Sequence, residues 1–172
     1  PLAVGEAVVR GAKLPVFSAA PPSLREFFGF FAASHGDKEF LVYGDERLSF
    51  AAVYARSLKM AAMLQHRYGI AKGDRVAIAM RNYPEWVMAF IGITHLGAIA
   101  VPMNAWWTGE ELDYGLSDSG TRLVFADEER ARRISSTDFT GTVLTVRTSS
   151  DVAASSPPAM LSTALAMASI RR

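Results

Sequence analysis

The chain has 172 residues, half of them apolar, and 18 lysine plus arginine against 17 aspartate plus glutamate. A chain of this length buries about 70% of its unfolded surface, enough for one independent core, and its near-neutral charge supplies no basic field for nucleic acid or an anionic membrane. The absence of cysteine removes disulfides, thiolate nucleophiles and cysteine zinc sites together, and fits a reducing, cytoplasmic setting.

Glu6, Arg10 and Lys13 interrupt any apolar run in the first twenty residues, so no signal peptide is expected there. Residues 1–22 read as an irregular segment, with ordered structure expected to begin at Pro21-Pro22. Ser23 and Glu26 form an S-x-x-E capping box, and Leu24, Phe27, Phe28 and Phe31 then fall on one helical face that ends near Gly36. Phe40–Tyr43 reads as a strand, returned through a Gly44-Asp45-Glu46 turn into Arg47-Leu48 as a hairpin. Ser49 caps a second helix whose apolar side runs through Val53, Tyr54, Leu58, Ala61, Leu64 and Tyr68 until Gly69 stops it.

From Val76 the pattern alternates. Val76–Met80 is a short apolar strand, Pro84 opens a helix that runs to Leu96, Gly97 ends it, and Ile99–Met103 is the next strand. The uncharged run from Trp86 to Met103 is long enough to raise a membrane span, but Gly97 and Pro102 divide it into a helix and a strand of a buried core. Thr108 and Glu111 box the start of a helix carrying Leu112 and Leu116, Leu123–Ala126 is a third strand, Asp127 caps an arginine-rich helix, and Thr142–Val146 closes the series. Strands that are continuous apolar runs are buried on both faces, so the expected fold class is α/β, a parallel sheet with helices on both faces. Residues 148–172, rich in serine, alanine, threonine and proline, are expected to form a flexible tail, with a weak helix at most over Ala159–Ala168.

The motifs for chemistry are sparse. No G-x-x-x-x-G-K-[ST], G-x-G-x-x-G or G-x-S-x-G occurs; Gly92 to Gly97 and Gly115 to Gly120 have the outer spacing of a phosphate loop but lack its lysine, and read as helix packing and helix stops. His35, His66 and His95 have no partner at metal-binding spacing, and the Glu110/Glu111 and Asp127/Glu128/Glu129 carboxylates sit in first turns of helices, where the dipole favours them. Trp106 and Trp107, just past a strand's carboxyl end, have two open readings: an apolar wall of an acyl pocket or subunit contact, or packing between subdomains. Trp86 is expected in the core. No catalytic, cofactor-binding or metal-binding residue is assigned.

The ordered fragments Gly73-Asp74-Arg75-Val76-Ala77-Ile78, Asn82-Tyr83-Pro84-Glu85-Trp86, Gly97-Ala98-Ile99-Ala100-Val101-Pro102-Met103-Asn104, Glu110-Glu111-Leu112 and Ser117-Asp118-Ser119 resemble the N-terminal part of the adenylate-forming superfamily of acyl-CoA synthetases and fatty-acid–CoA ligases. The resemblance covers about residues 23–147 and implies the first α/β lobe of that family's large N-terminal domain. It implies an enzyme that joins a carboxylic acid, here an apolar one, to AMP and then to coenzyme A, using ATP and magnesium. The family's phosphate loop, which reads like Ser/Thr-Ser-Gly-Thr-Thr-Gly, has only a partial echo in Ser119-Gly120-Thr121. The ribose-binding aspartate and the C-terminal lysine are not matched either. Pro158-Ala159-Met160-Leu161 looks like the approach to that loop, but Ser162-Thr163-Ala164-Leu165 follows. The expectation is therefore an N-terminal ligase fragment, inactive and cofactor-free alone, whose partner is the remainder of the ligase or a second subunit. The alternative is a stand-alone binding or dimerisation module.

Overall fold

The structure is a computed structural model and describes residues 3–148. Its centre is a parallel four-stranded sheet built from β5 (Arg75–Ala79), β6 (Ile99–Pro102), β7 (Leu123–Asp127) and β8 (Thr142–Val146), in the order β6-β5-β7-β8. Pairing is in register along each neighbour, with Val76 opposite Ala100 and Leu123, and Phe125 opposite Leu144. The apolar runs are buried on both faces, as continuous hydrophobic strands require. Val76, Ile78, Leu123, Phe125 and Leu144 join one core; Ala77, Ala79, Val124, Ala126 and Val143 join the other.

The chain moves from β5 outward to β6, then crosses back to β7 on the opposite side of β5. A right-handed crossover puts its helix on one face when the chain moves one way and on the other when it reverses. Accordingly α3 (Pro84–His95) shares a face with α2 (Phe50–Tyr68), contributing Met88, Ile91 and Ile93 beside Val53, Met60 and Leu64. Leu112 and Leu116 of α4 (Gly109–Asp118) and Ala131 and Ile134 of α5 (Glu128–Ile134) cover the other.

Helix ends follow the sequence signals. Ser49 Oγ accepts from Ala52 N, Asp127 accepts from Arg130 N, and Thr108 and Glu111 complete a reciprocal capping box. Gly69 closes α2 in the left-handed region at φ 62°. The box at α1 (Leu24–His35) is only half formed: Ser23 accepts from Glu26 N, while the Glu26 carboxylate turns to the Ser23 hydroxyl instead of its backbone. Gly92 sits where α2 and α3 cross, an added Cβ there lying 2.9 Å from Ser57 O, and Gly97 follows α3 at φ 72°, the positions of a helix contact and a helix stop.

Three expectations are corrected. The N-terminal residues are not irregular: β1 (Val4–Val9) and β2 (Ala12–Phe17) form an antiparallel hairpin, with Arg10 and Gly11 both at positive φ (50° and 85°) in a two-residue turn. Such a turn matches the twist of the strands it joins. Its apolar side chains stay in solvent, Val4 at 66%, Val8 at 68% and Phe17 at 56% exposure. Helix α1, expected to bury an aromatic face, has no fully buried residue; Phe28 reaches Phe90 of α3 edge-on at 6.2 Å, while Leu24 and Phe27 remain exposed. Trp86 is not in the core but half-buried at its rim, stacked on Phe90 at 5.6 Å. The hairpin of β3 (Glu39–Tyr43) and β4 (Glu46–Ser49) forms as expected, packed against α2. No helix among the described residues is long and apolar enough to cross a membrane. The tail expected to be flexible, with its weak helix, lies almost wholly outside the described residues.

Candidate functional site

Where successive crossovers leave a parallel strand in opposite directions, the loops part and open a crevice at the carboxyl ends. That point here lies between β5 and β7. The loop after β5 brings Arg81, and the last residue of β7, which also caps α5, is Asp127: Arg81 N donates to Asp127 Oδ2 at 2.9 Å. Asp127 is 4% exposed, and its other interactions explain how a carboxylate is kept there. Arg130 N donates to Oδ1 at 3.0 Å, and Arg130 Nη1 reaches both carboxylate oxygens at 3.1 and 3.2 Å. Arg130 is 1% exposed; its Nε donates to Ala105 O at 2.7 Å, tying the loop after β6 to the same pair, while Nη2 is buried without a partner. A buried pair of this kind contributes little net stability but is costly to break from one side.

The two tryptophans separate. Trp106 is 70% exposed, its backbone N–H donating to Asn104 Oδ1 at 2.9 Å, and the Arg81 guanidinium lies 4.5 Å above its ring. A cation over an indole face is attracted by the ring quadrupole. Trp107 is half-buried and faces α4: an added Cβ at Gly115 would stand 2.8 Å from its ring and 3.2 Å from Met103 Sδ. Its carbonyl accepts from Arg133 Nη1 at 2.5 Å. The structure thus gives Trp107 packing contacts and leaves Trp106 as an open aromatic platform.

Beside this edge, Arg147 follows β8 with its backbone at φ 52°. Its guanidinium donates to Glu85 at 2.9 Å and Glu46 at 3.0 Å and lies 4.8 Å from the Tyr43 ring and 5.2 Å from Tyr83. Burial alone would lower the Arg147 pKa, but hydrogen bonds and charge from Glu85 and then Glu46 outweigh it, so the cation is held more firmly than usual. Sequence reading missed Arg81, Arg130 and Arg147. The Asp127 cap three residues before Arg130 was the one available signal for the buried pair, whereas Arg147 meets partners 62 and 101 positions away. His35, His66 and His95 are not brought together, and no group of three or more histidine, aspartate or glutamate side chains among the described residues is placed to hold a metal ion.

A parallel sheet of order β6-β5-β7-β8, covered on both faces and carrying charged and aromatic groups at its carboxyl edge, defines an α/β lobe of the kind that borders a ligand crevice. The chain belongs to the AMP-binding enzyme family, whose model matches residues 29–167. It is 37% identical over 102 residues to the long-chain-fatty-acid–CoA ligase of Salmonella typhimurium, a match covering 59% of this chain and 18% of that protein. It is 35% identical over 107 residues to the crotonobetaine/carnitine–CoA ligase of Salmonella paratyphi A, covering 59% of this chain and 20% of that one. Among solved structures, the N-terminal domain of FACL13 from Mycobacterium tuberculosis superposes with a TM-score of 0.68 at 28% identity, over 80% of this chain and 37% of that chain. The chain therefore spans about a fifth of the length of these curated relatives.

Proposed function

We propose that residues 23–147 form the first lobe of the large domain of an ATP-dependent carboxylic acid–CoA ligase, which converts an apolar acid, in the reading a fatty acid, to its acyl adenylate and then its CoA thioester. The observation that carries this reading is the family match over residues 29–167 on a sheet whose carboxyl edge is built and charged. In it the lobe supports the site without performing the chemistry. Charge developing at an α-phosphate needs preorganised donors or cations aimed at it, and the family's phosphate loop, ribose aspartate and lysine have no counterpart in these 172 residues. What the described residues contribute is a rigid wall: the Asp127–Arg130 pair fixes three loops, and Arg81 on Trp106 lines the edge where an acyl group or a second domain would lie. A cytoplasmic setting follows from the same reading.

The test is acid-dependent pyrophosphate release from the chain alone and from a chimera in which it replaces the matching segment of the Salmonella long-chain ligase. The expected result is none from the chain and restored release from the chimera. A folded chimera without release refutes the ligase reading, and release from the chain alone refutes its inactivity. Trp106→Ala in the chimera is expected to alter acyl-chain preference; lower stability with preference unchanged would leave packing as its role. The second reading, a dimerisation module, is favoured by the solvent-facing Val4, Val8 and Phe17 of the first hairpin, since an isolated two-stranded hairpin is at best marginally stable. A concentration-dependent dimer in sedimentation that is abolished by Val8→Lys would support it.

A further inference from the structure

Between α1, α2, α3 and β3 lies a pocket of about 210 Å3, open to solvent on one side, whose lining shares no residue with the Arg81, Trp106, Asp127 and Arg130 cluster. Its walls include Phe28, Phe31, Phe40 and Phe50, and no charged side chain lines it. Tyr54 brings the only hydroxyl among the described lining residues. We propose that this cavity is a binding site for a neutral, single-ring aromatic molecule.

The walls are fixed before any ligand arrives. Phe40 stacks on Phe50 at 4.2 Å and 16°, Phe50 on His35 at 4.7 Å, and His35 on Phe31 at 5.7 Å, so four rings hold one another in a column from β3 to α1. His35 is further held by Nδ1 against Phe31 O at 3.1 Å. Rings locked in this way keep the space from collapsing, and preformed apolar pockets with few polar groups are the usual form of small-molecule sites. Size then selects the occupant. A buried apolar cavity of about 150 Å3 holds a benzene, so by volume the pocket here accommodates one ring with a small substituent. Chemistry selects it further: the aromatic walls favour edge-to-face and offset contacts, and a carboxylate would lose its hydration with no cation on the wall to replace it. The pocket therefore discriminates against a carboxylate carried inside it, and the inference stands independently of the ligase reading.

The probes are toluene, phenol and benzoate, titrated into the 172-residue chain with calorimetry and with NMR to record ligand-to-protein NOEs. Toluene and phenol are expected to bind saturably, one per chain, with NOEs to the Phe31, Phe40 and Phe50 rings, and benzoate at least tenfold more weakly. Ala32→Phe, which places a ring in the space, is expected to lower toluene affinity at least tenfold. Tyr54→Phe is expected to lower phenol affinity several-fold and leave toluene unchanged. No saturable binding, NOEs to other residues, or equal affinity in a folded Ala32→Phe chain would overturn the proposal. So would a dimer in sedimentation whose partner rings occupy the space. If Ala32→Phe does not fold, the NOE pattern in the unsubstituted chain decides alone.

Discussion

Replacing Gly92 by alanine sets two effects of opposite sign against each other, and the structure says which wins. In a helix interior alanine is favoured over glycine by about 0.8–1.0 kcal/mol, so an exposed site would gain. At Gly92 the new Cβ would stand 2.9 Å from Ser57 O, 3.3 Å from Ala61 N and 3.4 Å from Met60 Cβ. Two of these are backbone atoms of α2, which cannot rotate away, and Ser57 is itself fixed by its hydroxyl donating to Val53 O at 2.8 Å. Relief requires α2 and α3 to part along their whole crossing, over the core formed by Met60, Leu64, Met88 and Ile91. Overpacking costs about 1–3 kcal/mol, and a contact under 3.0 Å with backbone belongs in the upper part of that range, about 2–3 kcal/mol; net of propensity, the expected loss is about 1–2 kcal/mol, a fall in Tm of roughly 2–8 °C for a chain of this size. Gly29 is the internal control. Its added Cβ would meet only the Tyr54 hydroxyl, at 3.2 Å, a side-chain end able to shift, so Gly29→Ala is expected to be neutral or stabilising by up to about 1 kcal/mol. Urea unfolding followed by far-UV circular dichroism reads both. A Gly92→Ala chain as stable as the parent, or a Gly29→Ala chain losing as much as Gly92→Ala, would refute the close-crossing argument.

Three further outcomes are expected. Asp127→Ala takes the buried carboxylate from the Arg130 guanidinium and leaves it only the solvent-exposed Glu129 at 3.0 Å, so it should cost about 3–5 kcal/mol in urea unfolding; a loss below about 1 kcal/mol would show the pair to be dispensable. Arg147→Ala strands the Glu85 carboxylate, whose side chain is 11% exposed, at a cost of about 1.5–3 kcal/mol. Lysine should recover less than half of it, because it supplies neither the fork to two carboxylates nor the stacking plane; full recovery would reduce the contact to charge alone. His95 has its pKa lowered from 6.5, first by burial and then by the Arg25 charge, and its Nδ1 is buried without a partner. The folded state thus disfavours the proton: His95's contribution is present above pH 6.5 and lost as pH falls through the lower folded value. His95→Gln should flatten the decline in stability between pH 7 and 5, and parallel profiles for the two chains would count against it.

How far the fold could be read depended on whether its determinants were local. The Thr108–Glu111 box, the Asp127 cap and the stops at Gly69 and Gly97 act within a few residues, so helix bounds were legible. Continuous apolar strands announced a sheet covered on both sides. The first hairpin was missed because neither of its faces is buried, leaving no alternation of exposure to read; the surviving signal is Arg10-Gly11 between the two largely apolar runs Val4–Val9 and Ala12–Phe17. Composition could not show that α1 has no fully buried residue, since its spacing is that of a buried helix and only the surroundings differ. At the candidate site the tryptophans were found but not told apart, because what distinguishes them is Gly115 on one side and Arg81 on the other. The sequence of strands fixes the crevice, but the arginines that line it meet their partners only after folding.

Arg147 gives the lobe a mechanical property. A terminal edge strand held only by its backbone ladder can be peeled one bond at a time when the chain beyond it is pulled. Here a load applied past Thr148 passes first through a residue gripped by the first turn of α3 at Glu85, by β4 at Glu46, and by the rings of Tyr43 and Tyr83. The force is shared among three elements and must shear them together, so the end of β8 behaves as a riveted joint and motion of attached polypeptide is transmitted to the lobe as a whole.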